Sequence, residues 1–140
     1  MPENQIKLIA DIAILLNDKV LLVRYKDSNK YDHHKGWFLP DDEINHGEHP
    51  DNAAERILSE QLGIKSPVIA LHHIESFTGN DKSWHLVFHY VMHINALGEF
   101  AKSEDLDEGQ WFKINEIPDD KDIAHHGWAK YTIEEIINKK

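Results

Sequence analysis

The sequence predicts a mixed α/β domain, and three observations lead to that prediction. Two apolar runs, Ile6 to Leu16 and Lys19 to Tyr25, flank an Asn-Asp turn, which indicates a β-hairpin. A helical pattern follows at Pro50 to Leu62, and further strand-like segments come after it. Strands on both sides of a central helix, with a second helix at the end of the chain, are typical of a mixed α/β architecture.

Length and composition limit what the protein can be. The 140 residues fit one domain, which we expect to span residues 1–140. The absence of cysteine excludes disulfides and thiolate metal sites and suits a reducing cytosol. The N-terminus lacks the pattern of a signal peptide, and no apolar run approaches the roughly 20 residues of a membrane span. We therefore expect a cytoplasmic protein without membrane contact.

The net charge of −10 indicates which partners to expect. So acidic a surface repels a phosphate backbone, and we predict that the protein does not bind nucleic acid. The net charge is compatible with a small phosphorylated substrate, because bound divalent cations can reverse the sign of a carboxylate cluster.

The helix from Pro50 to Leu62 has recognisable ends. Proline suits the first helical position, and Asp51 favours the positive end of the helix dipole. Leu58 and Leu62 continue a four-residue apolar spacing that starts at Ala54, and Gly63 is a natural stop.

The second half of the chain predicts four more elements. Two strands, at Pro67 to Ile74 and Trp84 to Ile94, are joined across the turn-rich Thr78 to Asp81. Another short strand is expected at Gly109 to Ile114, and a closing helix at Gly127 to Asn138.

The segment from Leu39 to Ile64 carries charged and apolar residues at a distinctive spacing. It resembles the Nudix box, G-x5-E-x7-R-E-U-x-E-E-x-G-U, in which U is a bulky aliphatic residue, in a degenerate form that runs from Asp42 to Ile64. The matching residues are Glu48, Arg56, Leu58, Glu60, Gly63 and Ile64, preceded by the usual lead-in of Trp37, Leu39 and Pro40. The order of the flanking elements also follows that family over nearly the whole chain.

The resemblance implies a fold and a chemistry. The fold would be the Nudix α/β sandwich, a mixed β-sheet between helices. Nudix enzymes typically hydrolyse a pyrophosphate that joins a nucleoside to another group, and Mg²⁺ or Mn²⁺ neutralises its charge and activates water. The family uses glutamate at three helix positions, here 57, 60 and 61, which share one face of a helix.

This sequence departs from the family at the metal ligands. Ile57 and Gln61 replace two of the three glutamates, so that Glu60 alone remains. Isoleucine cannot coordinate a cation, and glutamine lacks the negative charge. Asp41 and Asp42 replace the usual glycine pair, although aspartate tolerates left-handed backbone better than most residues.

Two interpretations of these substitutions stay open. In the first, Ile57 simply packs against its neighbours, and the domain binds a nucleotide-like ligand or a protein without efficient catalysis. In the second, acidic residues rebuild the site, and the protein is a divalent-metal-dependent hydrolase with weakened or altered activity. A homodimer is compatible with both.

The resemblance assigns roles for the second interpretation. Glu60 and Glu48 would hold Mg²⁺ or Mn²⁺ together with the backbone carbonyl of Asp41, and Arg56 would orient the carboxylates by charge-assisted hydrogen bonds. Glu108 would serve as a further ligand or base. The remaining candidates, which would contact substrate, are Asp42, Trp37, His85 and Glu104.

Histidines alternate along the strand from Trp84 to Ile94. The pattern predicts that His85, His89 and His93 face solvent and that the alternate apolar residues face the core. His85 and His89 would stand roughly 13 Å apart, too far to share one metal, but His72 or His73 on the neighbouring strand would be close enough to pair with one of them. The functional alternative is a histidine-lined ligand cleft.

Overall fold

The described residues form one mixed sheet with a helix on each face. The computed structural model describes residues 5–25, 37–65, 69–78, 82–94, 106–117 and 132–137. The strands are β1 (Ile6–Leu16), β2 (Lys19–Tyr25), β3 (Asp41–Glu43), β4 (Ala70–Thr78), β5 (Trp84–His93) and β6 (Leu106–Lys113). The helices are α1 (Pro50–Leu62), a 3₁₀ turn at Ile114–Glu116, and α2 at 132–137. No helix among these described residues has the length and apolar character of a membrane span.

The strand order is β4-β5-β1-β2-β6, and β3 pairs with β1 beside this path. β1 and β5 are parallel, whereas every other strand pair is antiparallel, so the predicted mixed sheet is confirmed. β3 was not predicted from the sequence. Its three residues, Asp41–Glu43, are all acidic and give no strand pattern.

Alternation along β1 divides the core in two. Ala10, Ile12 and Ile14 pack with the buried residues of α1, on what we name the α1 face of the sheet. Ala13 and Leu15 pack with Ile133 and Ile136 of α2, on what we name the α2 face. Because successive side chains of a strand point to opposite faces, each face receives alternate residues of every strand. The predicted sandwich of a sheet between helices is therefore present.

The helix α1 has the ends that the sequence predicts. The side chain of His49 caps it by accepting a hydrogen bond from the Asp51 backbone N–H at 3.0 Å, and Pro50 opens it. Gly63 ends it in the left-handed conformation, with φ of 69°. The Tyr90 hydroxyl of β5 donates to Asp51 Oδ1 at 2.5 Å and ties the first turn to the sheet. Burial raises the pKa of Tyr90 and the Asp51 carboxylate raises it further, so this hydroxyl keeps its proton.

The prediction for the histidines of β5 was wrong for two of the three. His85 and His89 are buried on the α2 face together with Val87 and Val91, and only His93 is exposed. The alternation correctly assigned the residues of β5 to two faces of the sheet. On the α2 face, however, the histidines are buried instead of facing solvent. Trp84, predicted to face the core, is instead exposed at the end of the strand.

Several element boundaries differ from the prediction. β4 begins at Ala70 and continues past Ile74 to Thr78, with Glu75 and Phe77 half-buried and Ser76 exposed. β5 ends one residue earlier than predicted, at His93, and β6 spans Leu106–Lys113 in place of the predicted 109–114. Of the predicted closing helix, residues 132–137 are helical and the rest lie outside the described residues.

Packing of α1 on the sheet depends on Leu58, which is fully buried. We expect Leu58→Ala to lower the free energy of unfolding by about 2–5 kcal/mol, since it leaves a cavity under the helix. Urea unfolding followed by circular dichroism measures this. The matched control is the exposed neighbour Ser59→Ala, expected to change stability by less than about 0.5 kcal/mol. Equal stabilities for the two variants would contradict this account of the core.

Candidate active site

Arg56, in the middle of α1, contacts three carboxylates. Its Nε and Nη2 donate to the two oxygens of Glu48 at 3.0 and 3.2 Å, a bidentate pair. Its Nη1 donates to Glu60 Oε1 at 3.1 Å and to Asp42 Oδ2 at 3.3 Å. Nη2 also donates to the Glu43 carbonyl at 2.9 Å. The expected pairing of Arg56 with Glu48 is present, and Asp42 and Glu60 share the same guanidinium.

Local structure explains why these residues meet. Arg56 and Glu60 are four apart on α1 and therefore adjacent on its surface. Asp42 reaches them because β3 pairs with β1, with Asp42 opposite Ala10. Glu48 is held in the connecting turn, where the Asn45 N–H donates to its Oε1 at 3.0 Å and Gly47 adopts a φ of 80°.

The contacts of Glu48 favour its ionised form. The hydrogen bond from Arg56 lowers the pKa of Glu48 against the opposing effect of burial, and the Asn45 N–H lowers it further. The same contact with Glu48 raises the pKa of Arg56. One guanidinium faces three carboxylates, so the cluster has a negative excess that would attract a cation.

Positions 57 and 61 do not face this cluster. Ile57 is 1% exposed and packs in the core beneath α1, and Gln61 is 5% exposed. Only Glu60, with a side chain 60% exposed, projects outward. The packing of Ile57 agrees with the first interpretation of its substitution, and of the three helix positions Glu60 alone offers an accessible carboxylate.

Gln61 closes a hydrogen-bonded ring with Tyr25 and Asp41. Gln61 Nε2 donates to the Asp41 carbonyl at 2.8 Å, and the Tyr25 hydroxyl lies 2.9 Å from Gln61 Oε1. The Asp41 N–H in turn donates to the Tyr25 hydroxyl at 2.8 Å. The carbonyl predicted to serve a cation thus already accepts a protein donor, with which a cation would compete.

Arg56 with Asp42, Glu48 and Glu60 is named the Arg56 cluster. Its oxygen donors suit a hard cation, but the distances between them do not. Asp42, Glu48 and Glu60 supply the carboxylate oxygens that Mg²⁺ and Mn²⁺ prefer. In the described part of the chain, however, these three do not form a set whose ligand atoms all lie within 4.8 Å of one another. They converge on a guanidinium, so a bound cation would have to share them with Arg56.

Other predicted site residues lie elsewhere. Trp37 is buried on the α2 face, edge-on to Phe112 with ring centroids 4.9 Å apart. His85 stacks on Phe77 at 4.7 Å, also on the α2 face. The sheet therefore separates both side chains from the Arg56 cluster. Glu104 lies outside the described residues, and of Glu108 the structure describes the backbone, which pairs with Arg24 in β6.

The expected approach of His73 to a histidine of β5 is present at His89, but sequence reasoning missed the carboxylates of this polar cluster on the α2 face. Asp11 is buried in the middle of apolar β1, and its Oδ1 lies 2.7 Å from His89 Nδ1. Glu75 lies nearby, 3.5 Å from His89 Nε2. Burial lowers the pKa of His89, but the two carboxylates outweigh it and the net direction is upward. An acidic residue within the apolar run from Leu8 to Leu16 was the signal that could have revealed this cluster.

The ring around Gln61 generates a prediction about stability. Gln61→Glu should lower the free energy of unfolding by about 1–3 kcal/mol without divalent cations, because the carboxylate cannot donate to the Asp41 carbonyl. Chemical unfolding in the presence of a chelator measures this. Glu55→Gln, an exposed change of similar size on the same helix, is the control and should behave like the natural protein. If Gln61→Glu were equally stable, the ring would not hold Asp41 as described.

Comparisons with known proteins identify the family and the fold. The NUDIX domain family model matches residues 7–134. No curated protein matches the chain by sequence. The structure is similar to a MutT NUDIX hydrolase from Burkholderia pseudomallei, with a TM-score of 0.78 at 20% identity over 94% of this chain and 98% of that one. It is also similar to the MutT protein of Methanosarcina mazei Go1, with a TM-score of 0.76 at 17% identity over 100% of both chains.

An Ap4A hydrolase from C. elegans, solved as a binary complex, gives a TM-score of 0.68 at 16% identity over 96% of this chain and 99% of that one. At such identities the structural similarity shows the fold, here the Nudix fold. The family match covers most of the chain and includes the whole segment from Asp42 to Ile64. The chain belongs to the NUDIX domain family.

Proposed function

We propose that this chain is a divalent-cation-dependent hydrolase of a nucleoside diphosphate-linked substrate, with activity weakened by the loss of two helix carboxylates. The observation that carries the proposal is the set of three carboxylates, Asp42, Glu48 and Glu60, around Arg56. Three negative charges against the one positive charge of Arg56 leave a net negative charge at this surface of α1, which favours the binding of a cation.

Each member of the cluster has a separate task. Arg56 keeps Glu48 ionised and fixes its orientation through the bidentate pair. Glu60 is the most accessible carboxylate and would be the first to meet an incoming cation with its substrate. Asp42 adds a third oxygen donor from β3. A bound Mg²⁺ or Mn²⁺ would neutralise the pyrophosphate and activate the attacking water.

Exposed apolar residues on the α1 face support a nucleoside as part of the substrate. By the register of β1, β4 and β5, this surface includes Ile6, Leu8, Ile74 and Trp84. An indole ring offers a stacking surface for a base, and apolar neighbours suit its flat faces. Phosphates held near Arg56 and a base on this surface would place one substrate along the α1 face.

The structural neighbours support the substrate class. They include a MutT NUDIX hydrolase and an Ap4A hydrolase. The weakened activity follows from Ile57 and Gln61, which bring no charge to the site and are held in the core and in the ring with Tyr25. With fewer ligands, the cation would bind with lower affinity and stabilise the transition state less.

Hydrolysis of a substrate panel tests the proposal. The panel contains nucleoside triphosphates, dinucleoside polyphosphates and nucleotide sugars, each with Mg²⁺, with Mn²⁺ and with a chelator. We expect slow, cation-dependent release of phosphate or nucleotide products. Glu60→Gln should lower kcat/KM by about tenfold or more, which corresponds to about 1.4 kcal/mol of transition-state stabilisation.

The matched control is Glu55→Gln, which removes an equal charge from an exposed position of the same helix. Its kcat/KM should stay within about twofold of the natural value, because surface substitutions away from a site have small effects. Turnover that is equal in Glu60→Gln and Glu55→Gln would contradict the proposed role. Ligand binding that needs no cation and is unaffected by Glu60→Gln would instead identify a binding module.

A cytoplasmic location, the absence of nucleic-acid and membrane partners, and a possible homodimer stay predictions from the sequence. They fit a small-molecule hydrolase, and the proposed chemistry does not depend on them.

A further inference from the structure

A second set of ligand-type side chains lies on the α2 face, on the opposite side of the sheet from the Arg56 cluster. It consists of His73 and Glu75 on β4 and His89 on β5, whose ligand atoms all lie within 4.8 Å of one another. His73 Nε2 is 2.9 Å from Glu75 Oε1, and His89 Nε2 is 3.5 Å from the same oxygen. Two imidazoles therefore aim the same type of nitrogen at one carboxylate.

The other nitrogen of each imidazole is held by a neighbour. His89 Nδ1 lies 2.7 Å from Asp11 Oδ1, and His73 Nδ1 lies 2.7 Å from His72 Nδ1. An imidazole that donates its Nδ1–H to such a partner presents an unprotonated Nε2 on the opposite side of the ring. Metal-binding histidines are oriented in this way, commonly by a carboxylate, and the Asp11–His89 pair has that form.

The sheet holds the set in place before any ligand arrives. His73 pairs directly with His89 in the register of β4 and β5, and their rings are 4.6 Å apart. A bulge between Leu71 and His73 turns His72 toward its neighbour, so that two adjacent histidines meet. His89 is 0% exposed, so its ring cannot easily turn away.

Spacing and donor type fit a small transition-metal ion. Tetrahedral Zn²⁺ with bonds near 2.0–2.1 Å places its ligand atoms about 3.3 Å apart, close to the 2.9 and 3.5 Å found around Glu75. Imidazole nitrogens suit Zn²⁺ and iron and disfavour Mg²⁺, which prefers oxygen. Two carboxylates, Asp11 and Glu75, would balance the charge of a divalent ion in this partly buried place.

We propose that His73, Glu75 and His89 bind one divalent transition-metal ion, with Zn²⁺ as the first candidate, at a site separate from the Arg56 cluster. Asp11 and His72 orient the two histidine ligands. The ion joins the edge strand β4 to β5 and thereby stabilises that side of the sheet.

The geometry also leaves a coordination position for water. The side chains of His73 and Glu75 are 18% and 21% exposed, so solvent reaches one side of the set. A cavity of about 760 Å³ between the sheet and α2 is lined by His72, which contacts His73, and not by the three proposed ligands themselves. Three protein ligands and one open position are the arrangement found in zinc sites that exchange a water or a small ligand.

Competition with a chromophoric chelator measures Zn²⁺ binding to the whole chain. We expect one equivalent of Zn²⁺ at micromolar affinity or tighter, undisturbed by millimolar Mg²⁺, and a higher Tm in the presence of Zn²⁺. Glu75→Gln, which keeps the shape of the side chain, should weaken binding at least about tenfold, and Asp11→Asn should weaken it about 10–100-fold. His93→Asn is the matched control: it removes an exposed histidine from the same strand as His89 and should bind like the natural chain.

A second measurement does not depend on variants that fold. Co²⁺ bound to the natural chain should give the intense visible absorption of a four-coordinate site with nitrogen ligands, and Zn²⁺ should abolish it by displacement. Equal Zn²⁺ affinity in Glu75→Gln and the natural chain would overturn the proposal. So would a Co²⁺ spectrum no stronger than that of hydrated Co²⁺, or a loss of binding in His93→Asn as large as in Glu75→Gln.

Discussion

The guanidinium of Arg56 is the interaction on which the candidate active site depends. It bonds to Glu48 in the turn before α1, to Glu60 within the helix, and to Asp42 and the Glu43 carbonyl of β3. Three segments that are separate in sequence are therefore fixed relative to one another by one side chain. Without this positive charge, the carboxylates would repel one another and lose the orientation that a cation site needs.

The helix α1 serves both the core and the site, and the two uses compete for the same positions. Ile57 contributes apolar burial where the family has a ligand, and Gln61 supplies a donor to Asp41 and an acceptor to Tyr25. Both substitutions remove buried negative charge from beneath the helix, which favours stability. A cation at this place would have as ligands Glu60 and the carboxylates that Arg56 already contacts. This is the basis of the weakened activity that we propose.

Local patterns were sufficient to predict the hairpin and the helix from Pro50 to Leu62, because turn residues and caps act over a few positions. The pairing of Arg56 with Glu48 followed from the family motif. The burial of His89 could not be predicted in this way, since its partners Asp11 and Glu75 come from two other strands. The ring of Tyr25, Asp41 and Gln61 likewise joins three distant segments, and no periodicity in the sequence indicates it.

The polar cluster of the α2 face shows how alternation can mislead. A strand whose polar residues alternate with apolar ones ordinarily buries the apolar side. β5 buries Tyr90 on one face and His85, Val87 and His89 on the other, because α1 and α2 cover the sheet from both sides. A histidine on such a strand must find partners, and Asp11 provides one.

A crystal soaked in Mn²⁺, with an anomalous difference map, tests the central claim most directly. The account predicts a manganese peak within bonding distance of the Glu48 and Glu60 carboxylates, at partial occupancy, with Gln61 still bonded to the Asp41 carbonyl. The absence of any manganese peak at these carboxylates, in a crystal soaked in tens of millimolar Mn²⁺, would contradict it. A fully occupied ion on the Asp41 carbonyl with Gln61 displaced would contradict it equally, because the site would then not be weakened by the ring that Gln61 closes.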